Sequence, residues 1–572
     1  MSGLIHLRSL CILILVAATW IALVSYAHAG VLDKSSNESD YIVTRVDFEV
    51  RVIPETWSVS VHATYSLAPL AKGSNTLVLV APPINYAYNV LQISGSSPCA
   101  TIRKEQRRNE TLWYFDFGDT MDSSVPFDVS VDYTIRTLAD ALERTNIRAG
   151  VTPLGVYNLS YQLVPVGSST GAKEYTVHLK LPTGWMAVPC DMGSPVLYAG
   201  PYRDCLWDVD GVQVTLYALT EADLRFAKRT ISVCVQSLVT RLGLPPATKQ
   251  TVVQVPRYHG SGFSDGSFTA FCLRTTPSED NCLSNTELIY HEIAHKWVVF
   301  DTLKGWPLAQ ESFCEYLVFI VLERVQGPNR AREFMGRHRS NYFHFAAQGD
   351  APPLSSQPRS PSERGAIHYS KGVWLWHTLR FLLRDDAFFE LIMDLREDYC
   401  NGNAITTVGE LADRIAVYRA SFGPFLLDAV GQSGTARVNA SVSNRGLGID
   451  PQMDDSEQLV LLTSSGVQVP EVEIEIYSAD KIDRRRVRLR GPLTRVPAGA
   501  FPVEDIVVDP SSWILMPEPY HSNFQLFPVF GLMLAIVIFF FGYTILREVL
   551  SYLDASLFQR PDQVSAPSKT ID

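Results

Sequence analysis

The sequence predicts a multidomain α+β protein: an N-terminal β-sandwich, a mixed and then helical middle domain, a small C-terminal β domain and a single transmembrane helix. Three observations carry this expectation. Runs that alternate apolar and polar residues, such as Tyr41 to Val50 and Tyr175 to Leu181, fill residues 41–220 between Pro, Gly and Ser clusters. From Glu221 to about Val430 the pattern becomes mixed and then helical. Phe524 to Leu546 is a 23-residue stretch without a charge, enough to cross a hydrocarbon core of ~30 Å.

The elements follow in chain order. Arg8, the apolar run Leu10 to Val24 and Ala27-His28-Ala29 predict a secretory signal over residues 1–29. The sandwich is expected over 41–220 and the mixed, then helical middle domain over 221–430. Short strands return over 436–515, including Leu459 to Leu462 and Val472 to Tyr477. There the basic run Arg484 to Arg490 alternates like a strand with a solvated face, which is favoured over an anion site. The membrane span is expected over 524–546 and a short cytoplasmic tail over 547–572, with the middle domain extracytoplasmic.

Composition narrows the function classes. A chain of 572 residues is too long for one core. Its 49 basic and 60 acidic residues give a net charge of −11, which disfavours nucleic acid as a partner, and no basic stripe with interleaved aromatics argues otherwise. No phosphate-cradling glycine loop is present. Removing Cys11 with the signal leaves eight cysteines, an even number that suits an oxidising compartment. Cys190 with Cys205 and Cys272 with Cys282 are candidate local pairs, and Cys234, Cys314 and Cys400 are candidate buried thiols.

One segment carries chemistry. His291-Glu-Ile-Ala-His295 places two imidazoles four residues apart, on one face of a helix. Ser284 and Glu287 fit a capping box ahead of Leu288, Ile289, Ile293 and Ala294. Two histidines so placed suit one zinc ion, with Glu292 free to take a proton from its water. A catalytic zinc needs a third protein ligand. The next helix, starting near Pro307, offers Glu311 and, one turn on, Glu315. Spacing alone does not choose between them.

His291 to Trp297, followed by Gln310-Glu-Ser-Phe313, resembles the gluzincin metallopeptidases of the aminopeptidase N type. Their pattern is His-Glu-x-x-His-x-Trp and then Asn-Glu-Gly-Phe-Ala. His368-Tyr-Ser-Lys-Gly372 is similar to that family's Tyr-x-Lys-Gly motif. The resemblance implies a thermolysin-like catalytic domain, one zinc ion, Glu311 as third ligand and Tyr369 as donor to the oxyanion of the tetrahedral intermediate. It implies a peptide or protein substrate. Two departures stand out. The connection between His295 and Glu311 is a few residues shorter than the family's. The family's amine-binding glutamate, in Gly-x-Met-Glu-Asn, is replaced by Phe263 when Gly266-Ser-Phe-Thr is aligned, with Asp265 nearby. The expected function is thus a membrane-anchored zinc peptidase, aminopeptidase-like, using Glu292 and Tyr369 for catalysis and His291, His295 and Glu311 for the metal. The alternatives are a catalytically inactive relative that binds peptides or proteins, and an adhesion or receptor ectodomain with a structural zinc.

Overall fold

The computed structural model describes residues 41 to 517 apart from short stretches, the longest being 138–149, 274–284 and 444–458. The chain divides after Leu515, and every described helix and strand belongs to the compact unit before it.

The N-terminal part is built from paired β-layers. One sheet runs Glu174–Lys180, Tyr41–Ile53, Ser58–Pro69, Phe127–Thr137 and Tyr86–Gly95 in spatial order. A second sheet runs Val164–Pro165, Thr76–Ala81, Glu110–Asp116 and Thr101–Arg107. Side chains alternate across a strand, so every second residue can enter one core. Val46, Phe48 and Val50 therefore pack with Val61, Ala63 and Tyr65, and from the other sheet with Leu77, Leu79 and Phe115. The intervening Arg45 and Glu49 stay exposed.

The next sheet reads Arg203–Val209, Val212–Ala218, Lys249–Gln254, Phe268–Phe271 and, at its edge, Gly262–Asp265. Helix α1 (Glu221–Leu242) makes the crossover between the parallel strands Val212–Ala218 and Lys249–Gln254, as parallel pairing requires. Thr220 caps it by accepting from Asp223 N, and Gly243, at φ 72°, ends it. The edge strand is antiparallel to its neighbour, pairing Gly262 with Phe271 and Asp265 with Phe268.

Among the described residues seven α-helices longer than one turn follow: α2 (Asn285–Ala294), α3 (Ala309–Val325), α4 (Pro328–Ala346), α5 (Gly372–Leu383), α6 (Asp385–Cys400), α7 (Val408–Tyr418) and α8 (Phe422–Gly431). Helix α3 is central, with every residue from Ser312 to Leu322 buried. Its sequence is apolar on all sides, and an all-round apolar helix belongs in a core. The short connection from α2 to α3 is anchored by Trp306, fully buried and stacked on Trp376 at 5.5 Å. Arg364–Lys371 winds as a π-helix directly into α5.

Two three-stranded sheets close the unit: Ala436–Ser443, Leu459–Gly466 and Leu493–Pro497, and Lys481–Arg488, Glu471–Ser478 and Asp505–Val508. The basic run lies on the edge strand Lys481–Arg488, where Arg484 pairs with Glu475 and Arg486 with Glu471. Beyond the last strand, Trp513 stacks on His377 at 4.6 Å and on Phe381 at 5.6 Å.

The predicted fold class is corrected in one respect. Among the described residues no helix is long and apolar enough to cross a membrane. Helix α1 has 22 residues but carries Glu221, Asp223, Arg225, Lys228, Arg229 and Arg241. Helix α3 is the more apolar, but its 17 residues span only about 26 Å at 1.5 Å per residue, and Glu311, Glu315, Glu323 and Arg324 interrupt them. The described fold is therefore a mixed arrangement of helices and several sheets without a transmembrane helix. The localisation drawn from such a helix, single-pass with the catalytic domain extracytoplasmic, falls with it. Residues 524–546, like the signal 1–29 and the tail 547–572, lie outside the described residues. The cysteine expectations also change. Cys205 is a free thiol that accepts from Lys228 Nζ at 3.3 Å, and Cys400 is exposed where a buried thiol was expected. Cys234 and Cys314 are buried and free. Cys190 and Cys282 lie outside the described residues.

Candidate metal centre

Helix α2 is buried from Glu287 to Ala294, which suits its apolar residues and fixes His291 below the surface, with His295 half-buried just past its end. Glu287 accepts from Arg330 Nη2 at 3.0 Å and Arg337 Nη2 at 2.6 Å, tying α2 to α4. Its expected capping partner, Ser284, lies outside the described residues. The α-helix stops at Ala294, and His295–Trp297 continue as a 3₁₀ turn. His291 and His295 therefore straddle a change of helix type. Their Nε2 atoms still converge to 3.3 Å, with the rings 5.0 Å apart and nearly perpendicular.

Glu311, in the first turn of α3, completes the group. Its Oε2 lies 3.3 Å from His291 Nε2 and 3.8 Å from His295 Nε2. The Tyr369 hydroxyl donates to the same oxygen at 2.6 Å, and the Tyr369 ring lies nearly parallel to that of His291 at 5.8 Å. Glu315 is elsewhere. Its Oε1 faces His291 Nδ1 at 3.2 Å, on the far side of the ring. The two carboxylates that spacing could not separate thus meet opposite nitrogens of one imidazole.

His291, His295 and Glu311 form a candidate metal site, with one donor atom from each lying within 4.8 Å of the others. A tetrahedral ion with bonds of about 2.0–2.1 Å separates its ligand atoms by roughly 3.3–3.4 Å. The observed separations of 3.3, 3.3 and 3.8 Å are close to that edge. Two nitrogens and a carboxylate oxygen also suit zinc chemically. The residues present fit such an ion.

Glu292 is 5% exposed and faces the edge strand. A Cβ on Gly262 would lie 2.2 Å from Glu292 Oε1, so the glycine is what leaves room for this carboxylate. Burial pushes the Glu292 pKa up to about 8, opposed by the charge of His291 and reinforced by that of Glu311. Burial also acts against ionisation at Glu311, but contacts with His291, His295 and Tyr369 reverse it and hold the acid down at about 2. At His295 burial and the neighbouring His291 lower the pKa to about 4. Burial lowers His291 too, but Glu315 and Glu311 outweigh it and raise the net value. Tyr369 is pushed up by burial and by Glu311, so it keeps its proton.

All five residues expected from sequence, His291, Glu292, His295, Glu311 and Tyr369, come together here. Phe263 does not: it is 40% exposed on the edge strand, and the strand residue against Glu292 is Gly262. Two contributors had gone unread. Gly262 was visible only as one member of a glycine-rich stretch. Lys296 is 5% exposed, and its ammonium donates to Gly266 O at 2.9 Å and Phe268 O at 2.6 Å, holding the edge hairpin to the metal helix. Trp297 donates to Gly243 O at 2.8 Å, fixing the 3₁₀ turn against the end of α1. Beside His295 opens a polar cavity of about 540 Å³ lined by Ser264, Asp265, Lys296 and Gln310 among others.

No family model and no curated protein sequence matches this chain. Among solved structures it is similar to aminopeptidase A of Legionella pneumophila in complex with aspartic acid, at 12% identity and a TM-score of 0.48. The likeness covers 82% of this chain and 59% of that one, so the chain spans about three fifths of the length of the enzyme it matches.

Proposed function

We propose that this protein is a zinc-dependent peptidase. The observation that carries the proposal is the convergence of His291, His295 and Glu311 at near-tetrahedral spacing, with the buried carboxylate of Glu292 and the hydroxyl of Tyr369 beside them. His291, His295 and Glu311 would hold the ion. When bound, zinc polarises the scissile carbonyl and lowers the pKa of its water toward ~7.

The chain's own residues supply the rest. Glu292 accepts a proton from the attacking water and delivers it to the leaving amine, and its raised proton affinity suits a group that must do both. Tyr369 keeps its proton and presents it at the same centre, where it donates to the developing oxyanion. Glu315 holds His291 from behind and so sets which ring nitrogen faces the ion. Gly262 clears the space in which Glu292 acts.

The test pairs zinc analysis with digestion of a peptide library by wild type and Glu292→Gln. One bound zinc per chain is expected in both, with turnover reduced about 10²- to 10⁴-fold in the variant. A zinc-loaded wild type that cleaves nothing the variant spares would instead mark a peptide-binding relative without catalysis. Because Phe263, and not an acidic residue, stands where the resemblance places an amine-binding glutamate, N-acetylated peptides are expected to be cut within about threefold of free ones. A strict need for a free amine would point to an amine-binding group elsewhere and restore the aminopeptidase label.

A further inference from the structure

A chain of buried polar groups runs behind the metal centre, from His291 to the turn that carries Tyr369. Glu315 Oε1 lies 3.2 Å from His291 Nδ1, and Glu315 Oε2 lies 3.5 Å from His338 Nε2. The other nitrogen of that second imidazole, His338 Nδ1, lies 3.1 Å from the hydroxyl of Ser370, the residue after Tyr369. Glu315, His338 and Ser370 are 1%, 5% and 1% exposed. His291 Nδ1 and Glu315 Oε2 meet their neighbours as close polar contacts without hydrogen-bond alignment, and polar groups buried to this degree are costly without such partners.

Ser370 is the junction. Its hydroxyl donates to Gly365 O at 3.0 Å and accepts from Asn341 Nδ2 at 2.9 Å. A hydroxyl has one proton and two lone pairs, so the Ser370 proton is shared between Gly365 O and His338 Nδ1, which accepts in the tautomer whose Nε2–H faces Glu315. The bond to Gly365 bridges five residues, within the wide π-helical winding of residues 364–371. A π-turn holds one residue more than an α-turn, and one residue of helix is about 100° of rotation. The winding therefore decides which way Tyr369 points relative to the chain before it.

We propose that His338 is a positioning residue that joins the two halves of the centre. One ring nitrogen steadies Glu315 against His291, and the other holds Ser370 and, through it, the π-turn that aims Tyr369 at Glu311. The metal-side half stands on geometry alone; the Tyr369 half has a catalytic consequence only if the peptidase proposal holds.

Two substitutions separate the halves. Asn places its side-chain amide near the position of His Nδ1, and Gln places its own near that of His Nε2. His338→Asn keeps the Ser370 contact and gives up the one to Glu315; His338→Gln does the reverse. Zinc affinity of the metal-free protein, measured by competition with a chelator, is expected to fall about 10- to 100-fold in His338→Asn and to stay within about threefold in His338→Gln. Amide exchange over residues 366–371 is expected to quicken in His338→Gln and in Ser370→Ala, and to stay at the wild-type rate in His338→Asn. On a peptide the wild type cleaves, His338→Gln should lower kcat and leave KM unchanged. If the two His338 variants match each other in both zinc affinity and exchange, the residue is a packing element and the proposal is overturned. Should neither variant fold, unchanged exchange in Ser370→Ala overturns it, and quickened exchange supports it. If the affinity and exchange results divide as expected while no peptide is cleaved even by wild type, the positioning role stands and the peptidase proposal fails.

Discussion

A missing carbon and a single hydroxyl donor decide much at the residue scale. Gly262 has no Cβ, and one placed there would sit 2.2 Å from Glu292 Oε1. Gly262→Ala is therefore expected to displace the carboxylate, abolish turnover and leave zinc content at wild type, which metal analysis beside a peptide assay checks directly. Tyr369→Phe removes a single donor, and a loss of about 10²–10³ in kcat, or roughly 2.7–4 kcal/mol, is expected with the metal retained. Glu311→Ala should lose zinc outright, whereas Glu315→Ala should bind it more weakly yet still bind it; metal loss confined to the second variant would reverse their roles. The histidine pair was legible in the sequence because helical neighbours four residues apart are a local property. The choice between Glu311 and Glu315 was not, since both follow on one helix and differ only in which nitrogen of His291 they meet. Gly262 was illegible for a related reason. Its importance lies in what stands opposite, thirty residues on in sequence.

Elements place those residues, and here the sequence was a partial guide. The helix bearing His291 was readable from its apolar face, but its change to a 3₁₀ turn at His295 was not, because the turn is fixed by Trp297 bonding to Gly243 across the fold. The π-winding at Tyr369 was equally hidden, since it depends on Asn341 and His338 from α4. Lys296 shows how a distant element is drawn in. Its ammonium satisfies two carbonyls of the edge hairpin, so Lys296→Met leaves both without that donor. A loss on the order of 2–3 kcal/mol is expected, read as a lower urea midpoint, with faster amide exchange over residues 262–271. If exchange there is unchanged, the hairpin is held by its own ladder and not by Lys296.

At the scale of the whole molecule, two linkages are measurable. A ligand that binds only the folded state stabilises it by about 2.7 kcal/mol at a hundred times its dissociation constant. Zinc should raise Tm and a chelator should reverse the rise, while Glu311→Ala responds to neither. Acid should act through His377, which is fully enclosed between Tyr316 and Trp513. Burial, together with the charge of Arg380, lowers its pKa from 6.5 to about 3. A histidine depressed in the folded state contributes its full stability above pH 6.5 and loses it as pH falls toward 3, at up to about 1.4 kcal/mol per pH unit. The difference in denaturant midpoint between wild type and His377→Gln should therefore shrink as the pH is lowered through that window, and a constant difference would acquit His377. The alternating strands of the sandwich and the apolar helices were legible because each pattern repeats within a short window. The membership of the hairpin Arg203–Ala218 was not, because its partner Lys249–Gln254 lies beyond a 22-residue helix.

The burial of α3 from Ser312 to Leu322 gives the centre a stiff back and a compliant front. A helix packed on every side has no direction in which to recoil, so Glu311 and Glu315 are mounted on something close to an anvil. The strand that faces Glu292 is only four residues long and has one neighbour. On the peptidase proposal, the travel a substrate needs on entering is expected on that side, and amide exchange is expected to be faster over residues 262–265 than over 312–322.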